Sequence, residues 1–453
     1  MAVNNTVKIG EEPIRDIRLL PKGKVLLLGF QHTFAMFGAT VLVPLLTGLN
    51  INTALLMAGA GTLIFHLFTK GKVPAFLGSS FAFIGGYNLV APLVDGKADP
   101  HKIAIASGGV FFAGLVYLIL AGLIKFFGTR RVMRFFPPVV TGPIIIAIGL
   151  TLSPSAVANA STNWLLAITA ISVVVICNIW GKGMLKIIPI IMGIGCAYVV
   201  ALLTNSIDFS SFANIKVLDW PVDPSKFMVF DLSAILTIVP ISLATMMEHI
   251  GDISAISATT GENYIADPGL HRTLMGDGIA TSFSAIFGGP ANTTYGENTG
   301  VLVLTKVHDP RIVRLAAVIA IILGCFPILS SFIQTIPAAI IGGVSLILYG
   351  MISAIGVRNL VESKVDFTKS RNLIVAATIL VVSLGFKNGV SFQVNSVTIT
   401  LSSIALSALL GIALNAILPG KDYVFTEANP KETGVNFSAV DTTMEGHGDT
   451  EEA

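Results

Sequence analysis

The feature that most constrains this chain is a succession of apolar segments, each close to the ~20 residues that carry a helix across a bilayer. They recur at roughly 24–46, 52–69, 73–94, 103–127, 133–152, 163–180, 186–204, 231–251, 272–288, 291–305, 311–332, 336–356, 371–386 and 396–418. Only 12% of the 453 residues are charged against 53% hydrophobic, about half the charge of a soluble domain. So little polarity could not cover a water-exposed surface. The expected fold is an all-α polytopic membrane protein of fourteen transmembrane segments.

Charge sorts with that count. With the N-terminus inside, the termini and even-numbered connections hold 23 of the 28 Lys and Arg, while Lys97, Lys102, Lys216, Lys226 and Lys387 fall in outer loops. The positive-inside rule then places both termini in the cytoplasm. Losing one span would scramble this alternation from that point on. The same sorting removes any nucleic-acid signal from the net charge of +2. Cys177, Cys196 and Cys325 stand singly in apolar stretches, without metal-ligand or disulfide spacing. Residues 1–23 lack the short apolar region of a signal peptide, and the polar, acidic stretch 420–453 is expected to be a disordered cytoplasmic tail.

Two segments break the pattern. The third holds Pro74, Gly78, Ser79, Ser80, Gly85 and Gly86, and the tenth begins Gly288-Gly289-Pro290-Ala291-Asn292-Thr293-Thr294-Tyr295-Gly296. With helix breakers in mid-span, neither is expected to form one continuous spanning helix. Both are third in their half of seven, and Gln31-His32 in span 1 is echoed by Glu248-His249 in span 8. Seven is odd, so two such halves would lie in opposite orientations, a 7+7 inverted repeat. Interrupted spans at matching positions point to a transporter's binding site, because broken backbone at membrane depth is tolerated around a cavity.

Four acids lie within or at the edge of spans: Glu248, Asp252, Asp277 and Glu297. An acid at a helix centre costs about 2.5–3.5 kcal/mol on insertion scales, which makes it a functional candidate. Glu248 and Asp252 are one turn apart on one helical face, and Glu297 follows the break directly. Desolvated carboxyls close together favour holding a proton, the step that proton-coupled transport needs. No Lys or Arg is expected inside any span to pair with them; His32 and His249 are the available partners. Asp277, little more than a turn after Arg272, is expected at the cytoplasmic interface, and His66 is expected to snorkel near its helix end.

Around these residues the chain resembles the nucleobase–ascorbate transporter family. Glu297-Asn298-Thr299-Gly300 through Thr305-Lys306 fits the family signature Q/E-N-x-G, four residues, then T and a basic or small residue. Gln31-His32 resembles its QH motif. Phe34 to Pro44, Leu77 to Phe83 and Asn292 to Asn298 look like the bacterial uracil permeases within it, and the resemblance runs from about Gln31 to Pro419. It implies a core domain of spans 1–4 (24–128) and 8–11 (231–333), with spans 3 and 10 each broken into a short extended segment and a half-helix. The gate domain would be spans 5–7 with the outer loop (129–230) and spans 12–14 (334–419). It implies that Glu248 and Glu297 contact a pyrimidine ring, that backbone N–H groups of Phe81 and Gly296 donate to its carbonyls, and that Ala39 lines the pocket. It further implies that Ser345 and Tyr349 face the core across the interface, with Gln31, His32 and Asn298 in support. Proton coupling would involve Glu248, Asp252, Glu297 and His249. A homodimer through the gate domains, with no cofactor and a proton as coupling ion, completes the expectation.

The residues agree with a flat neutral ring: carboxylates accept from ring N–H groups, and half-helix N-termini donate to carbonyls. An anionic substrate would call for a cation in the spans. One departure favours a purine instead: some uracil permeases carry a second His one turn after the Glu, where this chain has Asp252. Glu297, where many xanthine and urate transporters have Gln, points back to uracil. A uracil/proton importer working by alternating access is therefore expected, with a xanthine or purine permease as alternative. An intramembrane aspartyl protease would need Tyr-Asp and Gly-x-Gly-Asp, but Gly276-Asp277-Gly278 has a different order. A passive channel would need a continuous polar stripe.

Overall fold

Caps and breakers punctuate a chain that is otherwise helix former. The structure is a computed structural model describing residues 9–94, 97–209, 218–387, 389–394, 397–421 and 423. It opens with α1 (Lys22–Thr47) and α2 (Ile51–Phe68), then β1 (Leu77–Ser79), α3 (Ile84–Val90) and α4 (Pro100–Phe127). Next come α5 (Thr129–Met133), α6 (Pro138–Ala160), α7 (Trp164–Trp180), α8 (Met184–Ile187) and α9 (Pro189–Leu203). The chain continues with α10 (Leu232–Ile238), α11 (Ser242–Thr260), α12 (Leu270–Ile286), β2 (Asn292–Thr294), α13 (Gly296–Thr305), α14 (Pro310–Gly324) and α15 (Pro327–Gln334). It closes with α16 (Ala338–Glu362), α17 (Ser370–Gly385), β3 (Val390–Val394), β4 (Val397–Leu401) and α18 (Ser403–Ile417).

Side-chain oxygens of Asn50, Asp99, Asn163, Asp231, Asp309 and Ser402 accept from backbone N–H groups in the first turns of α2, α4, α7, α10, α14 and α18, satisfying donors a helix start leaves open. Among the described residues, six helical stretches are long and apolar enough to cross a bilayer, and α14 with α15 makes a seventh if that pair, bent by 78°, is one span. Phe126, Ile179, Leu203 and Val381 are 84%, 64%, 79% and 69% exposed, apolar surface that hydrocarbon tolerates and water would not. The disordered tail expected over 420–453 lies, apart from residues 420, 421 and 423, outside the described residues.

Small residues set how the helices meet. A Cβ on Gly114 of α4 would come within 2.5 Å of the Gly278 carbonyl of α12, and one on Gly356 of α16 within 2.6 Å of the Gly142 carbonyl of α6. Such close backbone approach is what small residues permit in membranes. Helix α4 thus packs on α12, and α2 packs on α12 and α14, with α1 beside α13 and α14. Separately, α6 packs on α16, α17 and α18, and α7 on α9 and α16. Helix α11 touches α13 and α4 on one side and α6 and α18 on the other.

Within the first set β1 and β2 cross antiparallel, with Leu77 opposite Thr294, Gly78 opposite Thr293 and Ser79 opposite Asn292. The Tyr295 N–H donates to Phe76 O at 3.0 Å and the Ser80 N–H to Ala291 O at 2.8 Å, so extended backbone among helices satisfies its own polar groups. Gly78 is needed there because any Cβ would strike the Tyr295 ring and Thr40 Oγ1.

Four expectations need correction. The chain is not wholly helical: besides β1–β2, a hairpin pairs Val390 with Leu401 and Phe392 with Ile399. The segment expected to span from 396 therefore starts as strand, and α18 begins at Ser403. Asp277 is not interfacial but fully buried within α12. His66 does not snorkel; it is 3% exposed and its Nε2 lies 3.1 Å from Ala75 O. Finally, α16 runs on to Glu362, which puts Arg358 inside a helix expected to end near 356.

Candidate functional site

Where the crossed strands end, α13 starts, and Glu297 sits in its first turn, the place where a helix dipole favours negative charge. Glu248 and Asp252, one turn apart on α11, face the same space. Phe81, Glu248, Asp252, Thr293, Glu297 and Arg358 are among the residues lining a cavity of about 370 Å³, within the size range of small-molecule sites. Its far wall comes from α6 and α16, through Ile145, Leu348 and Met351 among others. The cavity therefore lies between the two packed sets of helices.

The carboxylates differ in their partners. Asp252 Oδ2 accepts from Thr294 Oγ1 at 2.7 Å, which ties α11 to β2. Glu248 Oε2 has no hydrogen-bond partner among the described residues. Arg358 Nε donates to Glu362 Oε1 at 2.6 Å, placing a cation at one mouth of the cavity.

The sequence-derived candidates divide into three groups. Phe81, Glu248, Asp252, Gly296 and Glu297 meet at the cavity. Tyr349 and Ser345 lie just beyond it: the Tyr349 ring meets Phe81 edge-on, centroids 6.0 Å apart, and Ser345 Oγ donates to Ile341 O. His249, Gln31, His32, Asn298 and Ala39 are elsewhere. His249 points away from its neighbour Glu248, with Nδ1 2.8 Å from Asp277 Oδ2, both side chains fully buried, and its ring 6.2 Å from that of Phe65. Asn298 Nδ2 donates to His32 O at 3.0 Å and lies 3.2 Å from His32 Nδ1, joining α13 to α1. Gln31 Nε2 donates to Met184 Sδ at 2.8 Å. Ala39 is buried within α1 and is not in the cavity wall.

Arg358, Thr293 and Thr294 are among the lining residues that sequence reasoning does not single out. Arg358 was assigned to a loop, although Arg358 and Glu362 stand four apart, the spacing of a helical ion pair. Thr293 and Thr294 sat in the break with nothing in sequence to rank them above their neighbours.

The comparisons with known proteins bear on these elements together. The sequence profile of the permease family matches residues 23–391, and the chain belongs to that family. The uracil permease of Bacillus caldolyticus is 42% identical over 427 residues, covering 90% of this chain and 96% of its own length. The uracil permease of Bacillus subtilis (strain 168) is 41% identical, covering 86% and 91%. The uracil permease of Escherichia coli (strain K12) is 36% identical, covering 92% and 95%. Among solved structures, the transmembrane domain of the cyanobacterial bicarbonate transporter BicA aligns with a TM-score of 0.56 at 16% identity, covering 89% of this chain and 99% of that one. Murine solute carrier 26 family member A9, an anion transporter in the inward-facing state, aligns with a TM-score of 0.64 at 12% identity, covering 87% and 68%. At such low identity these two speak to fold alone; with the family match and the apolar helices, they make this a multi-pass membrane protein.

Proposed function

We propose that this chain imports uracil together with at least one proton, by alternating access of a core bundle against a gate bundle in the cell membrane. The observation that carries the reading is the cavity in which Glu248, Asp252 and Glu297 meet the crossed-strand break and are closed over by α16. The relatives described as uracil permeases supply the substrate class. Glu248 and Glu297 accept from ring N–H groups, backbone N–H groups at Phe81 and Gly296 donate to the carbonyls, and the Phe81 ring forms an apolar wall. Glu248, Asp252, Glu297 and His249 carry the proton step.

The proposed topology has fourteen spans in a 7+7 inverted repeat with both termini cytoplasmic. Supporting it, α7, α9, α17 and α18 are apolar but short, and with α12 and the two strand–helix segments they supply the spans beyond the longer ones. Core (24–128, 231–333) and gate (129–230, 334–419) would be the two bodies, a division supported by α2, α4 and α12 packing apart from α6, α7 and α16, and a homodimer would form through gate faces. Asp252, hydrogen-bonded within the cavity wall, favours a second reading on the same scaffold, a xanthine or other purine permease.

Labelled uracil uptake into proteoliposomes under an imposed inward proton gradient, with unlabelled xanthine as competitor, tests this. Uptake that collapses with the gradient and ignores xanthine is expected. Strong competition by xanthine would favour the purine reading, and uptake indifferent to the gradient would remove proton coupling.

A further inference from the structure

The polar side chains along the crossed strands are nearly all engaged by the fold. Ser79 Oγ donates to Thr40 O at 3.1 Å, Thr294 Oγ1 to Asp252 Oδ2 at 2.7 Å and Tyr295 OH to Ser79 O at 2.9 Å. The Asn292 amide donates to Met57 O and Ala280 O at 3.3 Å each. Among the described residues, two hydroxyls of this region have no partner, Ser80 Oγ and Thr293 Oγ1. Ser80 is not part of the cavity wall. Thr293 is, and it is only 2% exposed.

A buried hydroxyl without a partner is costly, and strand structure gives no reason for it. Valine fits a strand as well as threonine, with the same branching at Cβ. The hydroxyl is thus surplus to the fold at a position where it borders the cavity. The second unpartnered polar atom on that wall is Glu248 Oε2. One is an atom that can donate or accept, the other a carboxylate oxygen that accepts when ionised. Between them the wall offers the donor and the acceptor that a cyclic amide edge, a carbonyl next to a ring N–H, would use.

We infer that the Thr293 hydroxyl is a specificity-determining contact, donating to an exocyclic carbonyl oxygen of a flat, neutral heterocycle while Glu248 accepts from the adjacent ring N–H. The inference rests on the nucleobase reading above and adds to it a side-chain donor beside the backbone donors. The neighbouring Thr294 does not share the role, because its hydroxyl is held by Asp252.

Equilibrium binding of labelled uracil to the detergent-purified full chain tests this, comparing Thr293→Val, which keeps the branched shape, with Thr293→Ser, which keeps the hydroxyl. Uracil affinity is expected to fall about 5- to 20-fold in Thr293→Val, the range for a carbonyl left without its donor. It should stay within about 3-fold of wild type in Thr293→Ser. Repeating the titration with 2-thiouracil and 4-thiouracil, whose sulfur is a weaker acceptor, should reveal one analogue that loses less than about 2-fold in Thr293→Val. Unchanged uracil affinity in Thr293→Val, or equal losses in the two variants, would overturn the inference while leaving the nucleobase reading intact. Wild-type protein that binds neither uracil nor xanthine would overturn both.

Discussion

The contact between His249 and Asp277 is the least expected feature of the core, and its energetics can be worked through. Both side chains are fully buried, and Nδ1 lies 2.8 Å from Oδ2. They link α11, which carries Glu248 and Asp252, to α12, which packs on α2 and α4. Removing one partner of a buried pair leaves the other without compensation, a loss of about 3–5 kcal/mol when charge is left behind. Removing both in favour of apolar groups is often neutral. Asp277→Leu and His249→Leu should therefore each lower the melting temperature of the purified protein strongly. The double variant should recover much of the loss, with a coupling energy of about 2–3 kcal/mol. The assay is a thermal unfolding series in one detergent, with melting monitored with and without uracil. Strictly additive losses would refute the reasoning, since they would mean that the two side chains do not act as a unit.

Other outcomes follow from individual side chains. Glu248→Gln should abolish gradient-driven uracil accumulation while the protein still inserts, and normal accumulation would exclude Glu248 from the mechanism. Glu297→Gln should weaken uracil binding more than xanthine binding; an unchanged preference in competition assays would show that selectivity lies elsewhere. At the start of α14, burial pushes the Asp309 carboxyl up. Hydrogen bonds from the Arg311 guanidinium and from the Arg311 and Ile17 backbone outweigh that and hold it below the usual aspartate range. Its folded value is thus below its unfolded one, so the stability it confers is present above pH ~4 and lost as pH falls further. Amide protection factors across residues 14–20 should fall over that acid range, and Asp309→Asn should reduce the pH dependence to the share that Asp16, bound to the same Arg311, contributes; a variant with an unchanged profile would contradict the assignment.

What the sequence could convey depended on whether the signal was local. Bilayer-length apolar runs are local, and so are the breakers between Pro74 and Gly86 and between Gly288 and Gly296, where the structure has β1 and β2 followed by α3 and α13. The β3–β4 hairpin was hidden because Val397-Thr398-Ile399-Thr400-Leu401 alternates with period two inside a run whose composition also suits a span. Asp277 was misplaced for a different reason. Its nearness to Arg272 suggested an interface, but α12 starts at Leu270 and its next turns are already enclosed by α4 and α2. No spacing rule could pair it with His249, because that contact depends on how two helices are rotated against each other. Thr293 was invisible for a third reason: a hydroxyl becomes informative only once it is seen to lack a partner and to border a cavity.

The proposed cycle has a charge problem that its substrate cannot solve. Glu248, Asp252 and Glu297 share a cavity of about 370 Å³ with Arg358 at its edge, and Arg358 is already bound to Glu362. Uracil is neutral, so loading it adds hydrogen bonds but no charge. Closing the cavity would move the carboxylates into a medium where like charges repel several-fold more strongly than in water and where unpaired charge is costly to hold. A proton taken up with the ring removes a negative charge and leaves a carboxylic O–H that can still be satisfied by hydrogen bonding. On this argument a co-transported proton would be not an added fuel but the condition for closing the site. The same argument would give a reason for acids at the boundary between the two sets of helices rather than within one: in the proposed cycle the cost of unneutralised charge would be incurred only when the bundles move, and it would oppose movement of the unprotonated form.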